Sequence, residues 1–193
     1  MRGVHLIREA FSVVASGYVY TKNLQPFEEV PPDEIRGAML RQMSVEDGVR
    51  CECQYDAEHY LPQLGLSAEV ISQNRSGKLS SILQVRYDEW MRDYDNVSRT
   101  IFSHLLVNES SATIDELVER AASYDLSRQS ESEVDANHHV TDREEKENAS
   151  STLEDLYRAD EPCAQYVALT DARMGYDLPF SRAQSLGQVH KLF

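Results

Sequence analysis

The stretch "LQVRYDEWMRDYDNVSRTIFSHLL", residues 83–106, carries its large apolar side chains at alternating steps of four and three. This spacing places them along one side of an α-helix and matches the a and d positions of a heptad repeat. We call these side chains the aromatic ridge: Leu83, Tyr87, Trp90, Tyr94, Val97 and Ile101. The pattern predicts one long central helix, over about 78–107, on which the rest of the domain is built.

Two interpretations of the aromatic ridge are open. Either it packs into the core of its own chain, or it forms a coiled-coil seam with another chain. Tyr87, Trp90 and Tyr94 are bulky for a two-stranded seam, and their polar tips need hydrogen-bond partners when they are buried. These properties favour the intrachain core and leave self-association as the alternative.

The sequence before the ridge predicts helices and a short β element. Apolar residues at helical spacing indicate a helix over 3–16, and the proline-led, acid-rich stretch "PPDEIRGAMLRQMS" indicates another over about 33–44. The β-branched and aromatic residues of 18–30 predict an extended segment, with a hairpin as one option. Alternation of apolar and polar residues in "GVRCECQY" predicts a half-buried strand over about 48–55.

The sequence after the ridge changes composition twice. A capping box in "TIDE" predicts a helix that ends near residue 124. Residues 127–150 hold seven acids against three bases and few apolar side chains, which predicts a flexible acidic linker. A second capping box starts the C-terminal helical segment, 151–193. The predicted organisation is therefore a helical body over 1–126, a linker, and a tethered C-terminal helical arm.

The acidic composition bears on the choice of partner. The 193 residues hold 33 acids against 19 bases, for a net charge of -14 and a pI near 4.8. A field of this sign repels phosphate backbones and anionic lipid surfaces. Nucleic acid is therefore a disfavoured partner, and another protein or a second copy of this chain is the expected one.

Cysteine usage and hydropathy suggest a soluble, intracellular protein. Three cysteines are too few, and odd in number, for a disulfide framework. Arg8 and Glu9 interrupt the apolar run that a signal peptide requires. No apolar stretch approaches the length of about 20 residues that spans a bilayer.

The sequence offers little catalytic or metal-binding chemistry. Cys51 and Cys53 with His59 have the wrong spacing for a zinc site, which needs C-x2-C or longer loops and a second pair of ligands. No nucleophile elbow, dinucleotide fingerprint or zinc-protease motif is present, and "SGKLS" at 76–80 lacks both the first glycine and the metal-binding hydroxyl of a phosphate loop. We therefore predict a non-catalytic protein with no cofactor and no metal.

One stretch suggests a second class of function. "SRTIFSHLLVNESSATIDELVERA", residues 98–121, resembles the first two helices of winged-helix regulators, with paired leucines, a polar turn and a capped "ATIDEL" helix. The resemblance implies a DNA-binding transcriptional regulator, in which a basic recognition helix follows. Here the acidic segment 127–150 follows instead.

The leading expectation from the sequence is an interaction, adaptor or assembly subunit. Its partner would meet either the ridge or the C-terminal arm, because an arm on a flexible tether raises the effective concentration at a docking site. The residues predicted to make these contacts are Tyr87, Trp90, Tyr94, Leu153, Leu156 and Tyr157.

Overall fold

The computed structural model describes residues 2–24, 31–73, 81–135 and 142–177, and it confirms a mainly α-helical fold. The strands are β1 (Gly3–Ile7) and β2 (Ile82–Arg86). The helices are α1 (Ala10–Asn23), α2 (Pro31–Leu40), α3 (Val45–His59), α4 (Leu61–Gln73), α5 (Tyr87–Arg92), α6 (Tyr94–Leu105), α7 (Ser111–Ala121), α8 (Glu131–Asp135), α9 (Arg143–Arg158) and α10 (Pro162–Met174). Among these helices, none is both long enough and apolar enough to cross a lipid bilayer.

The single long helix predicted over 78–107 is wrong. Strand β2 precedes α5, and α5 and α6 meet at Asp93, whose φ of -137° and ψ of 62° are not helical. The Asp93 carboxylate accepts hydrogen bonds from the Asn96 amide at 2.9 Å, a local bond of the kind that competes with helix continuation. The heptad spacing does not reveal these breaks. Leu83 falls at a heptad position in the sequence although it lies on strand β2. Residues 78–80 lie outside the described residues.

The helix predicted over 3–16 is divided into β1 and α1. A short apolar run such as "GVHLI" fits a buried strand as well as a helix, and pairing with β2 decides between them. The carboxylate of Asp171 on α10 accepts hydrogen bonds from the backbone N–H groups of Ala10 and Phe11, the latter at 3.3 Å. A side chain distant in sequence therefore caps α1, which local patterning cannot reveal.

The strand predicted over 48–55 is also wrong, because these residues belong to α3. The Ser44 hydroxyl caps this helix by accepting the N–H of Asp47 at 3.1 Å. The residues that α3 buries are Gly48, Val49, Glu52, Cys53 and Asp56. They recur at helical spacing, so the alternation of apolar and polar residues is coincidental.

The extended segment predicted over 18–30, with its optional hairpin, is wrong in its described part. Residues 18–23 continue α1, and residues 25–30 lie outside the described residues.

Helices α1 and α2 pack closely at Gly37. A Cβ added at Gly37 of α2 would lie 2.5 Å from the Thr21 carbonyl oxygen. The two helices can therefore approach this closely only where α2 has no side chain.

Contacts divide the chain into two compact units. We call Met1–Arg8 with Ser67–Val140 the sheet unit, and Glu9–Leu66 with Thr141–Phe193 the helical unit. Each unit joins segments that are distant in sequence. The three-part division into body, linker and arm stays a prediction. The linker and the arm differ in secondary structure from what the sequence predicts, as described below.

Residues 143–150 of the predicted flexible linker are helical, because α9 begins at Arg143. Asp142 caps α9 by accepting the N–H of Glu145 at 2.8 Å, and Ala149 is fully buried. The second of two short 3-10 turns, Leu126–Arg128, and α8 occupy the earlier part of this range. Residues 136–141 lie outside the described residues. An acidic composition does not exclude a packed helix, because a helix needs only one narrow apolar face to pack against a core.

The helical unit is built around α1, which packs against α2, α3, α9 and α10. The side chains most completely enclosed in this unit include Val14, Tyr18, Leu40, Val49, Glu52, Leu61, Leu153 and Val167. The helical character predicted for 151–193 is confirmed as far as Met174, and these helices form part of the core. Residues 178–193 lie outside the described residues.

The sheet unit contains a parallel pair of strands, in register from Gly3 opposite Ile82 to Ile7 opposite Arg86. Helix α6 packs against both strands. His104 on α6 places Nε2 3.1 Å from the Gly3 carbonyl oxygen and 2.8 Å from that of Ser81. Because both neighbours are acceptors, Nε2 carries the proton and donates to the start of both strands.

Candidate interaction surface

The indole of Trp90 lies between α5 and α6 in the sheet unit. Its Nε1–H donates to the Ser98 hydroxyl at 2.9 Å, and its ring stacks on Tyr94 with centroids 5.6 Å apart. The Tyr94 hydroxyl donates to the Ala121 carbonyl at 3.1 Å. Trp90 and Tyr94 are half-buried, and Ser98 is buried. The polar tips of both rings therefore have partners in their own chain, which supports intrachain packing of the aromatic ridge.

The remaining ridge residues are divided among β2, α5 and α6. The Arg8 guanidinium lies over the Tyr87 ring, 4.9 Å from its centroid, in a cation–π contact. Leu83, Val97 and Ile101 are each half-buried. The ridge is therefore not one continuous helical face, as a coiled-coil seam requires.

The other predicted contact residues lie on α9 in the helical unit. Leu153 and Leu156 are buried, and half-buried Tyr157 meets the Phe11 ring edge-on with centroids 6.3 Å apart. The two leucines stabilise the core of this unit. A partner cannot reach them without displacing α1 or α3, against which α9 packs.

The end of α6 exposes three consecutive apolar residues. Leu105, Leu106 and Val107, which we call the α6–α7 tip, have 40%, 38% and 51% of their surfaces exposed. Leu106 leaves the helix with φ of -112° and ψ of 59°, which ends α6 at Leu105. The Ser110 hydroxyl then starts α7 by accepting the N–H of Thr113 at 3.2 Å.

A cleft of about 320 Å³ opens beside the tip. The residues that line it are Arg99, Ser103, Leu106, Val107, Glu109, Ser111 and Ile114. Ile114 is buried and forms an apolar floor, whereas Arg99 is ion-paired with Asp115 at the rim. An apolar centre inside a polar rim is the usual composition of a protein-binding patch.

A second exposed apolar pair lies on α2 in the helical unit. Ile35 is 64% exposed and Met39 is 50% exposed, and they lie four residues apart on one side of the helix. Isolated pairs of this kind are common on protein surfaces. We favour the tip as the binding surface because its apolar residues are contiguous and border a cleft.

The helical unit also contains a polar cluster between α1, α2 and α3. Thr21 donates from its hydroxyl to Glu52 Oε1 at 3.3 Å and accepts from Arg36 Nη2 at the same distance. Arg36 Nε lies 3.8 Å from Glu52 Oε2, and its guanidinium lies 3.7 Å from the centroid of Tyr55. The buried Glu52 carboxylate is therefore paired with a cation, as a buried charge requires.

Asp56 lies one turn beyond Glu52 and is also buried. Burial raises the pKa of Asp56 to about 6, although the charges of Arg36 and His59 partly oppose this shift. Among the described residues, its Oδ2 is buried without a hydrogen-bond partner, and a Cβ added at Gly17 would lie 3.5 Å from it. Glycine in α1 thus leaves space for a carboxyl group that is costly to ionise.

The cysteines and His59 do not form the metal site considered from the sequence. Cys53 and Cys163 are buried and share a thiol hydrogen bond that lowers the pKa of Cys163 and raises that of Cys53. Burial raises the pKa of Cys51, and the His59 ring stacks on Tyr55. Within the described residues, no three His, Cys, Asp or Glu side chains converge in a way that could hold a metal ion.

The winged-helix hypothesis depends on α6, α7 and the segment that follows them. Two 3-10 turns and the short α8 follow α7 in the described chain. The exposed side of α7 carries Asp115, Glu116 and Glu119 against Arg120. Acidic groups in these positions repel DNA phosphates, so the geometry gives this hypothesis no support.

Sequence patterning missed the tip. The signal is the pair of leucines before a polar turn, but the single helix predicted over 78–107 includes them and so hides the end of α6 at Leu105. The chain matches no protein-family model, no curated protein and no solved structure.

Proposed function

We propose that this protein is a non-catalytic interaction subunit that binds a protein partner through the α6–α7 tip. The observation that carries this proposal is the run of three exposed apolar residues, Leu105, Leu106 and Val107, beside a cleft with an apolar floor. Covering apolar surface contributes about 25 cal/mol per Å², so leaving such a run in water is unfavourable without a partner.

The buried charges support a structural role over a catalytic one. Glu52 and Asp56 are enclosed between helices, and Arg36 is engaged with both Glu52 and Tyr55. A general acid or base must come within hydrogen-bond reach of its substrate, which these side chains cannot do without local opening. The free cysteines fit the reducing interior of a cell, which is the location we propose.

The test replaces both Leu106 and Val107 by aspartate in the full chain. We expect the variant to remain folded, because both side chains are already exposed, and to lose at least tenfold of its partner recovery or self-association. Tyr124→Asp is the matched control, since Tyr124 is 76% exposed in the same unit. Sedimentation velocity measures self-association, and quantitative cross-linking in cell extracts measures recovery of other proteins.

The comparison between the two variants decides the outcome. Loss with the tip variant and retention with Tyr124→Asp supports the proposal. A chain that is monomeric, and whose cross-linked proteins are the same in both variants, rules out the tip as a binding surface.

A further inference from the structure

The pairing of β1 with β2 determines which backbone groups of β1 face outward. The N–H of Gly3 donates to the Ser81 carbonyl at 3.0 Å, and Gly3 lies opposite Ile82. In a parallel ladder, alternate residues make the hydrogen bonds to the neighbouring strand. The N–H and C=O groups of Val4 and Leu6 therefore point away from β2, toward the outer edge.

Within the described residues, this outer edge of β1 pairs with no other strand. The described residues place only β1 and β2 in the sheet, and parallel sheets this small are unusual because they leave hydrogen-bonding groups unpaired. Leu6 is 40% exposed, whereas every residue of β2 is buried or half-buried. An extended segment that paired with β1 would satisfy the outward groups of Val4 and Leu6 by β-augmentation.

Charges at the two ends of β1 select the kind of segment. Arg2 precedes the strand and Arg8 follows it, with no acid between them. Arg2 Nη1 donates to the His104 carbonyl at 3.2 Å, and Arg8 lies over Tyr87, so both cations are held close to the strand ends. At a rise of about 3.3 Å per residue, they are roughly 20 Å apart along the strand.

The arginines disfavour a second copy of this chain as the occupant. Antiparallel pairing of two β1 strands centred on His5 would place Arg2 opposite Arg8 twice, and like charges in opposite positions are destabilising. The net charge of -14 also disfavours a second copy, and it opposes an acidic segment only weakly, because exposed charges more than about 8 Å away are largely screened at physiological ionic strength.

We propose that the outer edge of β1 binds an extended segment of a protein partner, with an apolar centre and an acidic residue at each end, six positions apart. This inference deepens the proposed interaction role and rests on it. It adds a backbone-directed site to the side-chain patch at the tip, and both belong to the sheet unit.

The probe is a blocked, fluorescent seven-residue peptide of alternating Val and Thr with Glu at both ends. A version with Lys at both ends tests charge, and a version with methylated backbone nitrogens tests strand pairing. We expect the Glu peptide to saturate the full chain in fluorescence anisotropy. We expect the Lys and methylated peptides to bind at least tenfold more weakly.

Substitutions in β1 locate the site. Leu6→Pro removes an outward N–H without touching the ladder to β2, and we expect at least tenfold weaker binding. Leu6→Thr keeps the N–H and serves as the matched control. Arg2→Glu provides a second variant, for which we expect the preference between the Glu and Lys peptides to shrink or reverse.

Any one of three results would overturn the inference. The first is that the Glu peptide does not saturate the chain up to about 1 mM, a weak affinity by any standard. The second is that the methylated peptide binds as well as the Glu peptide, and the third is that Leu6→Pro leaves binding unchanged. The tip variant with Leu106 and Val107 replaced by aspartate should still bind the peptide. If the peptide fails while tip-dependent association persists, only this inference is lost. If the tip fails as well, the interaction role is lost with it.

Discussion

Among individual residues, Trp90 fixes how α5 meets α6, because its Nε1–H donates to the buried hydroxyl of Ser98. The sequence indicated that this ring needs a polar partner, and the heptad spacing correctly grouped it with Tyr94, on which it stacks. It could not indicate the partner, because Ser98 becomes a neighbour only after the chain breaks at Asp93.

Replacing Trp90 with phenylalanine tests this contact. The variant leaves the Ser98 hydroxyl buried without its donor, and we expect unfolding free energy to fall by about 1 to 3 kcal/mol. Because Trp90 is the only tryptophan, urea unfolding should be followed by far-ultraviolet circular dichroism. Tyr124→Phe is the control and should change nothing. Equal stability of Trp90→Phe and the unmodified protein contradicts the internal hydrogen bond.

Asp56 gives a pH-dependent prediction. Its pKa is raised in the folded state to about 6 from 3.8, so the folded protein binds this proton more tightly than the unfolded chain. The contribution is fully present below the unfolded pKa and is lost as pH rises through the folded value. Between pH 5.5 and 7.5 we expect Asp56 to account for a loss of about 1 kcal/mol.

Asp56→Asn isolates this effect from other titrating groups. Asparagine cannot ionise, so the variant should lack this part of the decline and should gain stability relative to the unmodified protein as pH rises from 5.5 to 7.5. Urea unfolding at several pH values measures the difference. An identical pH dependence in the two proteins shows that the carboxyl of Asp56 titrates normally.

At the level of elements, helices with strong local caps or apolar faces were predictable, and pairing between distant segments was not. The sequence indicated α2 and α7, although the N-cap of α7 is Ser110 and not Thr113 of the predicted capping box. It did not indicate β1 and β2, because neither is stable without the other and they are far apart in sequence. It also missed the start of α9, whose face is apolar only at Ala149, Leu153 and Leu156.

Helix α9 provides the test at this level. Leu153 is fully buried in the core of the helical unit, so Leu153→Ala should lower unfolding free energy by about 2 to 5 kcal/mol. Ser151→Ala on the exposed side of the same helix should stay within about 0.5 kcal/mol. Urea unfolding distinguishes this core role from a tethered arm, for which Leu153→Ala would leave stability unchanged.

At the level of the whole molecule, two units share the chain, and they differ in how well they enclose apolar groups. The helical unit buries long side chains from α1, α3, α9 and α10, whereas the sheet unit leaves most of the aromatic ridge half-buried and the tip exposed. The sequence patterns predicted the mainly helical fold but could not distinguish the two units. This contrast is why we assign binding to the sheet unit.

The most direct test of that assignment is site-specific photo-cross-linking in living cells. A photoreactive phenylalanine analogue replaces Val107 at the tip in one variant and Tyr124, an exposed residue of the same unit, in the other. We predict that illumination yields a discrete protein adduct from position 107, to a partner or a second copy, and none of the same size from position 124. No adduct at position 107, or the same adduct from both positions, would contradict binding through the tip.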